Sequence, residues 1–207
     1  LSEIIQFGSG RERLEKMGYQ VSSISSENVE YRYPGYGEEL PTTGTYSGDW
    51  AGFDWKYEAA SQTLTIEGKG DMPSYFGEPT QLAQYVFGTR NLVIGEGVTS
   101  VPYYLITCLP ELDSLKVGST CKDFSYKQLE VQGTMTVDAG NQWFAVYDNC
   151  LYTKDLKKLL MLPEHKTSIQ FPEQLEIIST ESLSNLEMDT VVIPWGVTTL
   201  ESRAFYY

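Results

Sequence analysis

Four stretches of the chain share one spacing of apolar residues, and this spacing constrains the fold more than any other feature. Measured from an anchor residue, apolar side chains recur two positions before it and four, seven and twelve positions after it. With Ile94, Val117, Phe171 and Ile193 as anchors, all twenty such positions are apolar, although apolar residues make up only 41% of the sequence. Ile94 and Val117 are 23 residues apart, and Phe171 and Ile193 are 22 apart. A period in the low twenties is typical of a solenoid whose coils are too small to bury their own apolar faces.

This period is that of a leucine-rich repeat, which has one short strand and one turn or short helix per coil. We therefore predict a leucine-rich-repeat solenoid in which Ile94, Phe171 and Ile193 lie in a single buried column. The twenty positions are Leu92, Ile94, Val98, Val101 and Ile106; Leu115, Val117, Cys121, Phe124 and Leu129; Ile169, Phe171, Leu175, Ile178 and Leu183; and Val191, Ile193, Val197, Leu200 and Phe205.

The chain before the repeats divides into two parts. Residues 1–42 do not follow the spacing, and we predict a small α+β segment or a linker from an upstream domain, with a helix at 11–17 and paired strands at 19–24 and 29–33. Residues 43–90 are predicted to form a β-rich capping module that contains a hairpin, because Phe53, Trp55 and Tyr57 alternate as in a strand and Leu64 and Ile66 follow as a second strand.

The solenoid is predicted to span residues 91–207. Its spacing is interrupted at about 138–168, where we predict an inserted hairpin with Asp148 and Asn149 in the turn. The chain begins at Leu1 and stops two residues after Phe205, so we expect a fragment or processed product that ends within a repeat.

The charge balance excludes some classes of partner. The net charge is −13 and the pI about 4.5, so the chain repels phosphate backbones and anionic lipid. No apolar run approaches the roughly 18 residues that a membrane-spanning helix needs. We expect no nucleic-acid partner and no membrane insertion of this segment.

Three segments carry a more specific pattern. They are Ile94-Gly-Glu-Gly-Val98-Thr-Ser-Val101, Phe171-Pro-Glu-Gln-Leu175, and Ile193-Pro-Trp-Gly-Val197-Thr-Thr-Leu200 followed by Arg203-Ala204-Phe205. The pattern resembles the BspA-like (treponemal-type) leucine-rich repeat, whose unit runs roughly I-P-x-x-V-T-x-I-x-x-x-A-F. The second repeat departs from it at Gly118 and Cys121. The stretch from Val137 to Asp155 resembles a variant coil of such arrays, and the stretch from Ser47 to Met72 resembles a β segment that commonly precedes them. The resemblance thus covers about residues 46–207. It implies an extracellular or cell-surface bacterial protein with a binding function, similar to adhesins and host-interaction proteins, and it carries no catalytic residues.

Few residues suggest chemistry. Cys108, Cys121 and Cys150 are irregularly spaced and are expected to be buried free thiols, although a Cys108–Cys121 bridge is possible. The single histidine, His165, is expected in a surface loop. A glycine pair at Gly8 and Gly10 weakly suggests a dinucleotide-binding turn, but the helix after it is too short for a parallel crossover. No metal-ligand spacing and no phosphate-binding loop is present, so we expect no metal, no cofactor and no enzymatic activity.

One residue per coil is predicted on the strand face opposite the core, at Val93, Lys116, Gln170 and Val192. Solenoids use such rows as binding surfaces. Near the chain end, Val192 and Trp195, with Tyr206 and Tyr207 nearby, are expected to form an apolar patch that is either a binding patch or the contact with a following coil.

Two functions follow from these observations. The first is a non-catalytic binding module of a secreted or surface bacterial protein, acting on a protein or glycan ligand in adhesion or host interaction. The alternative is a carbohydrate-binding accessory domain of a larger secreted enzyme, with Trp50, Trp55 or Trp143 as stacking platforms.

Overall fold

The computed structural model describes residues 3–5, 20–24, 29–32, 39–74, 81–184 and 187–205. Near the amino terminus, strands β1 (Glu3–Ile5), β2 (Gln20–Ile24) and β3 (Val29–Arg32) form an antiparallel sheet in the order β1-β3-β2. The predicted pairing across 25–28 is thus confirmed by β2 and β3. The predicted helix at 11–17, the glycine pair at 8 and 10, and Tyr206 and Tyr207 lie outside the described residues.

A six-stranded sheet forms the main face of the molecule. Its members are β4 (Thr45–Trp50), β5 (Phe53–Glu58), β6 (Thr63–Glu67), β8 (Asn91–Ile94), β10 (Leu112–Val117) and β12 (Val131–Val137). They lie side by side in the order β12-β10-β8-β6-β5-β4. β4, β5 and β6 pair antiparallel, whereas β6, β8, β10 and β12 pair parallel. Parallel pairing therefore begins at β6, which the sequence assigns to the preceding hairpin, so one coil precedes Asn91.

Each early coil returns through a second, narrower sheet. Strands β7 (Gly70–Asp71), β9 (Val98–Val101) and β11 (Asp123–Phe124) pair parallel. Short helices complete the coils: α1 (Leu82–Val86), α2 (Tyr103–Thr107) and a 3-10 turn (Tyr126–Gln128). The chain is thus a β-solenoid of about five turns with little helix.

The predicted insertion is a three-stranded meander of β13 (Phe144–Tyr147), β14 (Cys150–Thr153) and β15 (Lys158–Met161). Asp148 and Asn149 form its first turn with φ of 49° and 57°, a left-handed pair that suits a two-residue hairpin. The solenoid then resumes, because β16 (Ile177–Ile178) pairs parallel with β15, and β17 (Thr199–Leu200) pairs parallel with β16.

The twenty spaced positions do not share one core. All ten positions in the first two frames are buried, as are Leu175, Ile178 and Leu183. The buried side chains form two clusters: Ile94 belongs to the first, whereas Phe171 and Ile193 pack against the second. The prediction of a single column is therefore wrong, because the meander lies between the two clusters and contributes buried side chains to both.

The last frame is the least buried. Val191, Ile193 and Val197 are half-buried, while Leu200 and Phe205 are 55% and 44% exposed. These two positions correspond to Val101 and Ile106 of the first frame, which are covered by neighbouring elements.

Candidate binding surface

Strand pairing aligns outward-facing residues of the six-stranded sheet into rows. One row, called the middle row here because the other two flank it, consists of direct cross-strand partners from β4 to β12. Its members are Ser47, Lys56, Thr65, Val93, Lys116 and Thr136. Successive residues of a strand point to opposite faces, and the residues on either side of the middle row, such as Leu64 and Ile66, are buried. The row therefore stands on a rigid layer of packed core.

A second row of short polar side chains, the hydroxyl-rich row, runs beside the first. Its members are Thr45, Glu58, Thr63, Asn91, Ser114 and Thr134. The Ser114 hydroxyl lies 2.6 Å from Asn91 Oδ1, and the Thr45 hydroxyl donates to Glu58 Oε2 at 2.6 Å. These bonds across strands hold the side chains in defined positions before any ligand arrives.

A third, shorter row is acidic and is confined to the three antiparallel strands. Asp49 lies opposite Asp54, and Asp54 lies opposite Glu67. Between this acidic row and the middle row is an open groove of about 460 Å³, lined by Ser47, Gly48, Asp54, Trp55, Lys56, Thr65 and Glu67.

The structure brings together two of the five predicted binding residues. Val93 and Lys116 are direct partners on β8 and β10. Gln170 and Val192 lie outside every strand of the described chain, so they do not continue this row, and Thr136 is its next member. Trp195 is 104% exposed in the turn that precedes β17, and Val192 is 78% exposed three residues before it.

The aromatic residues divide sharply by burial. Trp50 and Trp55 are only 4% and 3% exposed, and the ring of Tyr85 packs 5.3 Å from that of Trp55. Neither indole can stack on a sugar, so these two proposed platforms are wrong. Trp143 is 43% exposed, just before β13, and is the remaining candidate.

The potentially reactive groups are held in unreactive settings. Cys108, Cys121 and Cys150 are buried and unbridged, as predicted, and burial raises the pKa of Cys121 and Cys150 to about 12. His165 is exposed, as predicted, and its hydrogen bond to Glu187 raises its pKa. Among the described residues no cluster of three or more His, Cys, Asp or Glu could hold a metal ion.

Within the same ranges, no helix is long and apolar enough to cross a bilayer.

Sequence reasoning missed four members of the middle row, namely Ser47, Lys56, Thr65 and Thr136. A local signal was present, because Thr63-Leu-Thr65 and Thr134-Met-Thr136 alternate polar and buried residues. Their alignment with Val93 could not be seen, because it depends on the parallel pairing of β6 with β8 and of β10 with β12.

No protein-family model and no curated protein matches this sequence. Two solved structures resemble it. A leucine-rich repeat protein from Eubacterium ventriosum has 16% identity and a TM-score of 0.41, and the match covers 79% of this chain and 63% of that one. The pneumococcal vaccine antigen PcpA has 10% identity and a TM-score of 0.31, with 78% of this chain and 67% of that chain covered. The chain therefore spans less than two thirds of the first of these proteins.

Proposed function

We propose that this chain is a non-catalytic binding module of a secreted or cell-surface bacterial protein, of the BspA-like leucine-rich-repeat kind, which acts in adhesion or host interaction. The observation that carries the proposal is the middle row, six outward residues aligned across one rigid sheet. A surface that is ordered before binding loses little conformational entropy when a partner docks, so modest contacts suffice for useful affinity.

The polarity of the strand face favours a protein partner. None of the described aromatic residues that are exposed lies on the six-stranded sheet. Sugar recognition usually needs an aromatic platform, whereas hydroxyl, amide and ammonium groups match the polar groups of a protein surface. Lys116 is exposed in the centre of the parallel strands and is the proposed anchor of this contact.

The test compares a charge reversal on the strand face with the same charge reversal at a position outside it. Lys116→Glu should weaken binding to an array of extracellular-matrix and mucosal proteins by about tenfold, because a repulsive charge replaces an attractive one at the interface. Lys122→Glu makes the same change at an exposed position outside the six-stranded sheet and should leave binding unchanged. Equal binding by both variants and the unaltered protein would reject the strand face as the site.

The carbohydrate-binding alternative now depends on Trp143. Its partly exposed indole offers a stacking surface, and a glycan array measures whether a sugar binds there. Strong glycan binding that Trp143→Ala abolishes would favour this alternative, and binding to proteins without any glycan signal would favour the first proposal. Labelling of intact cells with an antibody to this segment tests the surface location.

A further inference from the structure

A five-residue motif just before the six-stranded sheet has no part in the strand face. Residues 40–44 read Leu40-Pro-Thr-Thr-Gly44. This is the L-P-x-T-G pattern that cysteine transpeptidases of the sortase class recognise on bacterial surface proteins, which they cleave between the threonine and the glycine. Four of the five positions are fixed, so a chance match in a chain of 207 residues is rare. Such a motif has meaning only in a structural setting that suits its chemistry.

The bond between Thr43 and Gly44 is accessible. Thr42, Thr43 and Gly44 are all exposed, and they form a bend outside the described strands, immediately before β4. An enzyme that cuts a peptide bond needs a segment that is not paired in a sheet, and exposed bends of small polar residues are the usual sites of such cutting. The setting of the bond therefore suits the reaction that the motif indicates.

Three contacts hold the motif in place. Leu40 is half-buried and packs against the first core cluster. The Tyr46 hydroxyl donates to the carbonyl of Thr43 at 3.3 Å. The backbone amide of Ala59 donates to the carbonyl of Gly44 at 3.0 Å. Because the motif has to detach locally before an enzyme can bind it, the folded chain should be cut more slowly than a free peptide.

The same bond lies at a boundary of the fold. The three-stranded sheet of β1, β2 and β3 precedes it, whereas all six strands of the main sheet follow it. Cutting at this bond therefore leaves that sheet and its coils in one piece. An apolar stretch follows such a motif when the motif serves as an anchor signal. Here β4 and β5 follow it, so the reaction separates two parts of the chain.

We propose that residues 40–44 are a processing site for a sortase-class cysteine transpeptidase, which releases the solenoid from the amino-terminal segment. The thiolate of the enzyme attacks the carbonyl carbon of Thr43 and forms a thioester, while the nitrogen of Gly44 takes a proton and leaves as an amine. A primary amine then attacks the thioester, loses a proton and forms an amide with Thr43, which frees the thiolate. The proposal rests on the proposed cell-surface location and adds a means of releasing the binding module.

A purified transpeptidase of this class tests the proposal on the whole chain, with triglycine as the amine and intact-mass spectrometry as the readout. We expect two products, residues 1–43 joined to triglycine and residues 44–207. Pro41→Ala should slow the reaction about tenfold or more, whereas Thr42→Ala, at the variable position, should change it less than about twofold. Equal rates for both variants and the unaltered chain would mean that the bend is cut without recognition of the motif, and would overturn the proposal.

A synthetic peptide of residues 38–47 separates the motif from its setting. The same enzyme should cut this peptide about ten times faster than the folded chain, because nothing has to detach first. A folded chain that stays uncut while the peptide is cut would show that the fold hides the motif. That result, or an uncut peptide, would overturn the proposal.

Gly88 offers a variant that loosens the motif without altering it. A Cβ on Gly88 would overlap Cδ1 of Leu40, the end of a flexible side chain that can move away. Gly88→Ala should therefore speed the cut about threefold or more, while its Tm stays within about 3 °C of the unaltered protein. Gly52→Ala, whose Cβ would meet nothing within 4 Å, is the control and should leave the rate unchanged. Equal rates for the two variants would contradict the view that the Leu40 contact limits access to the motif.

The reaction does not depend on a ligand of the strand face, so the two proposals can fail separately. If the chain is cut as expected while neither array shows binding, the processing site stands and the proposed adhesive function is not supported. If the chain stays uncut while Lys116→Glu weakens binding to a protein, the binding function stands and the processing site is wrong.

Discussion

Asn141 is a polar side chain in the interior, and every group of its amide is used. It is fully buried, and its Nδ2 donates to the carbonyls of Gly118 and Cys121 at 2.8 Å each. Its Oδ1 accepts from the backbone amides of Trp143 and Phe144, also at 2.8 Å. One side chain thus joins the second coil to the start of the meander.

Replacing Asn141 with Ala leaves two buried donors and two buried acceptors without partners. We expect Asn141→Ala to lower the free energy of unfolding by about 3 kcal/mol or more. Gln142→Ala, at the exposed neighbouring position, should cost about 0.5 kcal/mol or less. Urea denaturation followed by circular dichroism measures both, and similar costs would contradict the role given to Asn141.

Two glycines with nearly the same left-handed backbone distinguish conformational strain from close packing. Gly97 and Gly52 have φ of 81° and 83°. A Cβ on Gly97 would overlap the carbonyl oxygen of Gly68 in the preceding coil, whereas a Cβ on Gly52 would meet nothing within 4 Å.

Gly52→Ala should therefore cost only the strain of an unfavourable φ, about 1 kcal/mol. Gly97→Ala carries the same strain and also forces two coils apart, so we expect it to cost at least about 2 kcal/mol more. Thermal unfolding of the two variants measures the difference. Equal Tm values would show that coils 63–90 and 91–111 are not in close contact at this turn.

At the scale of elements, the meander closes the open edge of the six-stranded sheet. Asn149 Oδ1 accepts from the amide of Met135, and Asn149 Nδ2 donates to the carbonyl of Gly133, both at 2.8 Å. These are the groups that β12 would offer to a further strand, so one side chain takes the place of a strand there.

This geometry predicts an unusual result for a turn substitution. Glycine suits the left-handed conformation of Asn149, yet Asn149→Gly should destabilise the protein by about 1–2 kcal/mol because both bonds to β12 are lost. Ala51→Gly, at a left-handed position with φ of 54° in the β4–β5 turn, should instead stabilise it by up to about 1 kcal/mol. Opposite signs in chemical denaturation support the role of the amide, and a stabilising Asn149→Gly would reject it.

At the scale of the whole molecule, the two core clusters are linked by strands that are buried on both faces. In β14, Leu151 packs in the first cluster while Cys150 and Tyr152 pack in the second. In β15, Leu160 packs in the first cluster and Leu159 packs in the second. Because β14 and β15 contribute buried side chains to both clusters, loss of one cluster exposes side chains of the same strands in the other. The two clusters should therefore unfold together.

Tryptophan fluorescence tests this coupling. Trp50 and Trp55 report on the first cluster, while Leu175 lies fully buried in the second. Leu175→Ala should lower the free energy of unfolding measured by fluorescence by about 2–4 kcal/mol, because a cavity in the second cluster destabilises the first cluster too when the two unfold together. Leu200→Ala, at a position 55% exposed, should change it by less than about 1 kcal/mol. An unchanged fluorescence midpoint in Leu175→Ala would mean that the clusters unfold independently.

Local features of the fold could be predicted from the sequence because they follow from local periodicity. Alternation placed Leu92 and Ile94 inward and Val93 outward, and the left-handed preference of the Asp148-Asn149 pair located the turn of the meander. The repeat spacing indicated coils, which the parallel pairing of β8 and β10 confirms.

Only the tertiary structure decided which strands lie side by side and which aromatic side chains are buried. The sequence grouped Gln170 and Val192 with Val93, but strand pairing aligned Thr65 and Thr136 with it instead. Likewise Trp55 is buried and Trp195 is exposed, and the residue type does not distinguish them. The physical reason is that the two properties depend on different distances along the chain. The spacing of apolar residues determines which way a side chain faces within its own segment. Packing between segments that are distant in sequence determines which segment lies against it.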